Sequence, residues 1–259
     1  MADMRRVVID AGHGGREPGA VSDGRREKDD TLRLALAIGQ ILSDNGVDVS
    51  YTRVTDIYQS PMEKAEMANR WDGDLFLSIH RNAMPVPGSA SGIQSLIYEA
   101  GGEAERMAEN INRQLADMGW KDLGIIERPG LIVLRRTDMP AVLLEAGFID
   151  NPADNQFLEE HFYQTAQAVA DGILETLRQQ EEGPEYYQIQ VGVFRDRDAA
   201  ARMVERLTQE GYPAFMVADG DLYKVRVGAY LDVDNAAWME KTLRAAGYPT
   251  VMVREAGRY

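Results

Sequence analysis

The sequence predicts an α/β fold, with a mostly parallel, twisted sheet flanked by helices, followed by a small ferredoxin-like α+β domain of βαββαβ order. Three observations predict this. Short apolar runs alternate with amphipathic segments over residues 1–180, which is typical of a parallel sheet covered on both faces. A charged segment with glycine and proline interrupts the pattern at 181–185 and is the predicted linker. Residues 186–259 contain a repeated strand–helix–strand unit.

The elements of the larger domain can be assigned in order along the chain. The β-branched run Val7–Ile9 predicts a buried strand that ends in the glycine-rich segment AGHGG. Thr31–Asn45 places its apolar residues on one face and is followed by Gly46, as expected of an amphipathic helix. A capping box at Ser60–Glu63 predicts a helix to about residue 71. Further strands are predicted at Val47–Tyr51, Leu75–Ile79, Ile93–Tyr98, Leu131–Leu134 and Ala141–Leu144, and further helices near 103–118 and 155–179.

The smaller domain contains an internal repeat. The segment YYQIQVGVF aligns with LYKVRVGAY 36 residues later, and Gly211–Pro213 aligns with Gly247–Pro249. Each copy begins with alternating apolar residues, continues with a helical period and ends in a second apolar run. A duplication of this size predicts one four-stranded sheet backed by two helices.

Side-chain alternation predicts which face of this second sheet contacts solvent. Ile189, Val191 and Val193 are expected to face the helices. The opposite face is then expected to present two aromatic rings, amides and a guanidinium, a combination that suits a sugar strand. The candidate glycan-binding residues are Gln190, Phe194, Arg226 and Tyr230. The alternative is an ordinary solvated sheet face.

Composition and charge exclude several classes of function. The net charge of −14 disfavours nucleic acid and anionic membranes as partners, because it repels them. The chain has no cysteine, which excludes disulfides, thiolate zinc sites and cysteine nucleophiles. It has no apolar run of membrane-spanning length, and Met1–Arg6 lead into a strand without the apolar core of a signal peptide. We therefore expect the protein to reach its substrate by cell lysis, or to be secreted with its leader trimmed. We also expect a monomer.

Three residues that follow or end predicted strands are candidates for chemistry. His13 lies in the loop after the first strand, His80 follows the strand at residues 75–79, and Glu145 follows the strand at 141–144. Ligands of open α/β sheets gather at the carboxyl ends of strands, so these residues are expected to converge. Glu27, which precedes a helix, is a fourth candidate. Two imidazoles and a carboxylate suit Zn²⁺, and a second carboxylate, Glu145, suits proton transfer.

The spacing of these residues is not specific by itself, and no HExxH motif is present. Each residue also has a structural interpretation. His13 and His80 could be hydrogen-bonded loop residues, Glu27 could belong to the solvated charge run RREKDD, and Glu145 could pair with an arginine. His161, the third histidine, lies in a predicted helix and is interpreted as structural.

Four motifs together resemble the zinc-dependent N-acetylmuramoyl-L-alanine amidase family over residues 5–178. These motifs are VVIDAGHGGREPGA, GRREKDDTLRLALAI, DLFLSIHRNA and VLRRTDMPAVLLEAGFIDNP. The resemblance implies that His13, Glu27 and His80 hold Zn²⁺ and that Glu145 is catalytic. It further implies zinc-activated water that cleaves the amide between the lactyl group of N-acetylmuramic acid and the L-alanine of the stem peptide.

The tail, from residue 186 to about 254, resembles the sporulation-related repeat (SPOR) domain, which implies binding to peptidoglycan glycan strands. The whole arrangement is most similar to amidases with which sporulating bacteria lyse the mother-cell wall. That similarity implies synthesis in the mother-cell cytoplasm and action on the cell wall. Two residues depart from the family pattern, namely Lys64, where arginine is frequent, and Arg81, where a small residue is usual. Both departures are expected to concern the substrate groove.

Three alternative functions remain open at this stage. A zinc peptidase or deacetylase would keep the metal site and change the substrate. A non-catalytic wall-binding protein would use both domains for adhesion only. RNA binding by the ferredoxin-like tail is disfavoured, because the tail has no basic stripe.

Overall fold

The computed structural model describes residues 5–182 and 185–256. The chain divides into two compact units, Met1–Leu177 and Arg178–Tyr259. The strands of the first unit are β1 (Arg6–Ala11), β2 (Val21–Ser22), β3 (Arg25–Arg26), β4 (Asp48–Tyr51), β5 (Leu75–Asn82), β6 (Ile93–Ile97), β7 (Asp122–Glu127) and β8 (Ala141–Phe148). Its helices are α1 (Glu27–Asp44), α2 (Pro61–Trp71), α3 (Glu103–Asp117), α4 (Ile132–Arg135), α5 (Pro152–Glu160) and α6 (Phe162–Glu182), of which the last continues beyond the boundary of the unit.

The sheet of the first unit has six strands in the order β4-β1-β5-β8-β6-β7. The first four are parallel, whereas β6 runs antiparallel to β8 and parallel to β7. Along β1, Val7 and Ile9 pack with α1, α3 and α6, while Val8 packs with α2 and α4 on the other face. The apolar run is continuous because the strand is buried on both sides. The predicted mostly parallel sheet is confirmed.

Most of the predicted elements are present, with several corrections. The capping box is formed, since the Ser60 side chain accepts from the Glu63 backbone and the Glu63 side chain accepts from the Ser60 backbone. The predicted strand Leu131–Leu134 was wrong, because this short apolar run forms the one-turn helix α4 and buries Val133 against the sheet. The strand β7 was missed, since Gly124 interrupts it and its ends are charged.

The predicted linker at 181–185 overlaps with regular structure at both ends. Helix α6 continues through Glu182, and the following strand begins at Glu185. Gly183 and Pro184 lie outside the described residues. Across the part of the chain that is described, no helix combines the length and the apolar character needed to cross a membrane.

The second unit has the βαββαβ order that the repeat predicts. Its elements are β9 (Glu185–Phe194), α7 (Arg197–Gln209), β10 (Ala214–Asp219), β11 (Leu222–Tyr230), α8 (Val233–Ala245) and β12 (Val251–Ala256). The sheet is antiparallel with the order β10-β11-β9-β12, which confirms the predicted ferredoxin-like domain. Asp196 and Asp232 cap α7 and α8 at equivalent positions of the two repeats.

The predicted orientation of Phe194 was wrong. Arg226 pairs with Gln190, but the preceding Val225 pairs with Gly192, so β9 contains one extra residue at this point. A bulge of this kind reverses the alternation of every side chain that follows it. Val193 is therefore 47% exposed, while Phe194 packs against the core that the sheet forms with its helices.

The predicted orientation of Tyr230 was wrong for the same reason. The pairing shifts by one residue in β11 between Val227 and Tyr230, and the tyrosine ring packs against the helix-side core. A glycine two positions before each ring makes room for it. A Cβ on Gly192 would lie 2.7 Å from the Phe194 ring, and one on Gly228 would lie 2.3 Å from the Tyr230 ring.

Candidate metal centre and active site

The candidate residues lie at one end of the large sheet. His13 follows β1, and His80 and Glu145 are direct partners in the parallel pair of β5 and β8. Glu27 is the first residue of α1. Because β1, β5 and β8 are adjacent and parallel, their carboxyl ends carry these side chains to the same edge.

The three predicted metal ligands lie close together. One donor atom from each of His13, Glu27 and His80 lies within 4.8 Å of the others. His13 Nε2 is 3.0 Å from Glu27 Oε2, and His80 Nδ1 is 2.8 Å from Glu27 Oε1. Two imidazole nitrogens and one carboxylate oxygen form a donor set that fits Zn²⁺, because three protein ligands leave one coordination position for water or substrate. This cluster could hold a metal ion.

Two glycines that the sequence analysis did not single out allow this close approach. A Cβ on Gly12 would lie 2.6 Å from His80 Nε2, and one on Gly19 would lie 2.5 Å from Glu27 Oε2. His13 itself has a φ of 60°, an uncommon backbone conformation for a residue with a side chain. The glycine-rich segment around His13 was the sequence signal for this close approach, although it was interpreted only as the segment in which a strand ends.

A buried arginine holds the loop that carries His13. The Arg53 guanidinium donates to the carbonyls of Ala11 (3.0 Å), Gly12 (2.9 Å) and Lys28 (2.8 Å). The Lys28 side chain donates to the carbonyl of Gly15 at 2.8 Å. These bonds join the loop to the start of α1, so they fix the position of His13 relative to Glu27. The role of Arg53 could not be predicted, because nothing near it in the chain indicates its partners.

Glu27 is held as an anion in the metal-free protein. Burial opposes its ionisation, but hydrogen bonds with His13 and His80 outweigh burial and hold the pKa of Glu27 well below its usual range. Its two oxygens also accept from the backbone N–H groups of Ala20 (2.8 Å) and Arg81 (3.0 Å). The carboxylate is therefore oriented and charged before any cation binds.

Glu145 has a different environment from Glu27. Its Oε2 atom is buried and has no hydrogen-bond partner within the described residues. Burial raises the pKa of Glu145 to about 7. Burial alone would lower the pKa of His80, but its bond to Glu27 and the nearby Glu145 charge raise it above its usual value. A carboxyl group that titrates near neutral pH is suited to take up a proton and to release it.

The metal-free protein is expected to lose stability as the pH rises from about 5 to about 7. A carboxyl group with a pKa of about 7 instead of 4.5 binds its proton more tightly in the folded state, and this advantage disappears as the pH passes 7. The Glu145 contribution is about 3 kcal/mol. Denaturant unfolding of chelator-treated protein at several pH values measures it. Glu145→Gln should reduce the change of the unfolding free energy with pH. An unchanged slope would contradict the raised pKa of Glu145.

Both units match known protein families. A profile of the N-acetylmuramoyl-L-alanine amidase family matches residues 7–175. The chain belongs to this family. The profile of the SPOR domain matches residues 183–254.

Amidases of known function and structure resemble this chain over long stretches. The sporulation-specific N-acetylmuramoyl-L-alanine amidase of Bacillus subtilis (strain 168) is 32% identical over 226 residues, which cover 83% of this chain and 85% of that protein. The crystal structure of an N-acetylmuramoyl-L-alanine amidase from Clostridium difficile 630 has a TM-score of 0.65 at 31% identity, and the match covers 68% of this chain and 98% of that one. The catalytic domain of CwlV, an amidase of Bacillus (Paenibacillus) polymyxa, has a TM-score of 0.63 at 32% identity, covering 68% and 99%. These matches confirm the predicted family, fold class and peptidoglycan amidase activity.

Both departures from the usual amidase residues are buried in the first unit. Lys64 is 3% exposed. Its Nζ atom lies 2.8 Å from Asp10 Oδ1 and donates to the carbonyl of Ala11. Arg81 is 2% exposed. Burial of both side chains does not support a direct role in a substrate groove. Arg81 also contacts the candidate ligand set, because its backbone N–H donates to Glu27.

Proposed function

We propose that this amidase holds Zn²⁺ with His13, Glu27 and His80 and uses Glu145 to transfer the proton. The bond cleaved is the amide between the lactyl group of N-acetylmuramic acid and the L-alanine of the stem peptide. The observation that carries the proposal is the convergence of three donor atoms within 4.8 Å, next to a buried carboxyl group on the neighbouring strand.

The chain's own residues have separate roles in this reaction. Zn²⁺, when bound, would polarise the scissile carbonyl and lower the pKa of water enough to supply hydroxide near neutral pH. Glu27 provides the anionic ligand, and the backbone groups of Ala20 and Arg81 orient it. Glu145 accepts the proton of the attacking water and delivers it to the departing alanine nitrogen.

Digestion of purified peptidoglycan tests this proposal. We expect new amino termini that belong to alanine, with lactyl-containing glycan fragments as the second product by mass analysis. A chelator should stop the release, and one equivalent of Zn²⁺ should restore it. New termini on other residues would favour a zinc peptidase, and loss of acetyl groups would favour a deacetylase. Wall binding without any metal-dependent product would favour an adhesion protein.

The second unit is proposed to bind glycan strands through the open face of its sheet. Gln190 and Arg226 are direct partners on β9 and β11, on the face opposite the helix-side core residues Ile189 and Val227. Arg226 is only 1% exposed, so the expectation that its guanidinium faces solvent was wrong. Gln190 is partly exposed and is the remaining candidate for a glycan contact. Arg226 donates to Gln188 at 2.8 Å and to Glu255 at 2.6 Å. A covalently joined binding unit raises the local concentration of substrate at the catalytic unit. The similarity to the sporulation-specific amidase supports wall lysis during sporulation as the setting.

Gln190→Ala is expected to weaken binding to peptidoglycan by about fivefold, since a lost hydrogen bond to ligand costs on the order of 1 kcal/mol. Cosedimentation of the full chain with insoluble peptidoglycan, in chelator to prevent digestion, measures this. Gln209→Ala, an amide on α7, is the matched control. Equal binding by the two variants would exclude the open face around Gln190 as the contact.

A further inference from the structure

The charged side chain of Arg81 is completely buried, and Arg81 directly follows the candidate ligand His80 in the chain. Its guanidinium contacts Asp30 Oδ2 at 2.5 Å and Asn155 Oδ1 at 2.7 Å. It also donates to the carbonyls of Gly147 and Phe148, both at 3.3 Å. A guanidinium is a planar fork with fixed donor directions, so groups bonded to it are held at fixed positions relative to one another.

Three of the four partners of Arg81 belong to the two elements that carry Glu27 and Glu145, while the fourth, Asn155, lies in α5. Asp30 follows Glu27 by one turn of α1. Gly147 and Phe148 follow Glu145 in β8, where a bulge places two residues of β8 opposite one residue of β5. Gly147 has a φ of 82°, a conformation that favours glycine. The Arg81 side chain therefore ties the helix of Glu27 to the bulge that follows Glu145.

We propose that Arg81 is a positioning residue that sets the distance between Glu27 and Glu145, and thereby the metal affinity and the turnover of the site. This inference rests on the proposed roles of those two carboxylates. The backbone N–H of Arg81 donates to Glu27 Oε1, so the same residue orients the ligand through its main chain and positions its helix through its side chain. Two connections from one residue fix both the position and the direction of the carboxylate.

Variants at this position are expected to fold, because Asp30 has a second partner. Arg25 Nε lies 2.6 Å from Asp30 Oδ2, and Arg25 also pairs with Glu159 at 2.7 Å. Removal of the Arg81 guanidinium therefore does not leave Asp30 as a buried charge without a cation. Methionine has a long, flexible side chain that can fill the vacated space.

The test compares Arg81→Met, Arg81→Lys and the wild type as full chains. Zinc affinity is measured by competition with a coloured chelator, and kcat and KM are measured separately on a soluble muropeptide. We expect Arg81→Met to weaken zinc binding about 10- to 100-fold and to lower kcat with little change in KM. Arg81→Lys keeps the charge but loses the fork, so its zinc affinity should also fall clearly below that of the wild type.

Ile173→Ala is the stability control, since Ile173 is fully buried in the apolar core on α6 and is not one of the three candidate ligands. It should lower the unfolding temperature and leave zinc affinity unchanged. The positioning role would be overturned if Arg81→Met bound zinc with unchanged affinity, or if Arg81→Lys bound zinc as tightly as the wild type. It would also be overturned if Ile173→Ala lost as much zinc affinity as Arg81→Met.

A reference variant separates this inference from the proposed function. If the wild type binds one equivalent of zinc and His13→Asn does not, the metal site stands, and the Arg81 result alone decides the positioning role. If the wild type and His13→Asn bind zinc equally, the proposed metal site fails, and the positioning role fails with it.

Discussion

Glu145→Gln is expected to lower kcat by about 10²–10⁴-fold while zinc remains bound. Glutamine keeps the shape of the side chain but cannot accept the proton of the attacking water. Glu145 is absent from the group of three close donors, which consists of His13, Glu27 and His80. Removal of its negative charge should therefore affect turnover far more than metal content. Release of alanine amino termini from peptidoglycan measures turnover, and metal analysis of the purified variant measures zinc content.

Glu127→Gln is a matched control for this variant, because it makes the same chemical change on an exposed carboxylate at the end of β7 in the same unit. Its turnover and zinc content should equal those of the wild type. Residual activity of Glu145→Gln within about tenfold of the wild type would remove Glu145 from the proton-transfer role, since a general acid or base contributes more than this. A simultaneous loss of zinc would instead identify Glu145 as a ligand.

The sequence was sufficient to predict the positions of His13, His80 and Glu145, because the local patterns that define strands determine them. The apolar runs before His13, His80 and Glu145 define strands, and the carboxyl ends of adjacent parallel strands meet at one edge. The sheet order supplies that adjacency, with β1, β5 and β8 side by side. Glu27 was predicted to precede a helix, whereas it is the first residue of α1, and its role as a ligand came only from the resemblance because it lies within a run of charges.

Contacts between distant parts of the chain could not be predicted in the same way. Arg53 bonds to carbonyls 25 to 42 residues earlier, and Arg81 bonds to Asp30 and Asn155, which are 51 and 74 residues away. No periodicity in the sequence encodes such pairs. The errors at Phe194 and Tyr230 have another cause, because strict alternation cannot include a bulge. The glycines at 192 and 228 were the local signal of those bulges.

His13→Asn is expected to weaken zinc binding by at least about a hundredfold, because even substitutions in the outer shell of a metal site cost 10- to 100-fold. Asparagine removes the imidazole but tolerates a positive φ better than alanine does, so the backbone at φ 60° should be retained. The ligand set would then contain only Glu27 and His80. Chelator competition measures the affinity, and peptidoglycan digestion at limiting zinc measures its consequence.

His161→Asn makes the same substitution at a histidine outside the ligand set. The His161 ring stacks on Phe157 with centroids 4.4 Å apart, and its Nδ1 atom lies 3.1 Å from the carbonyl of Phe157. Loss of these contacts should lower stability slightly and leave zinc affinity unchanged. If both variants bound zinc as the wild type does, coordination by His13 would be excluded. If both variants lost zinc equally, the loss would reflect unfolding of the first unit. Only a difference in zinc affinity between the two variants assigns the imidazole of His13 to the metal.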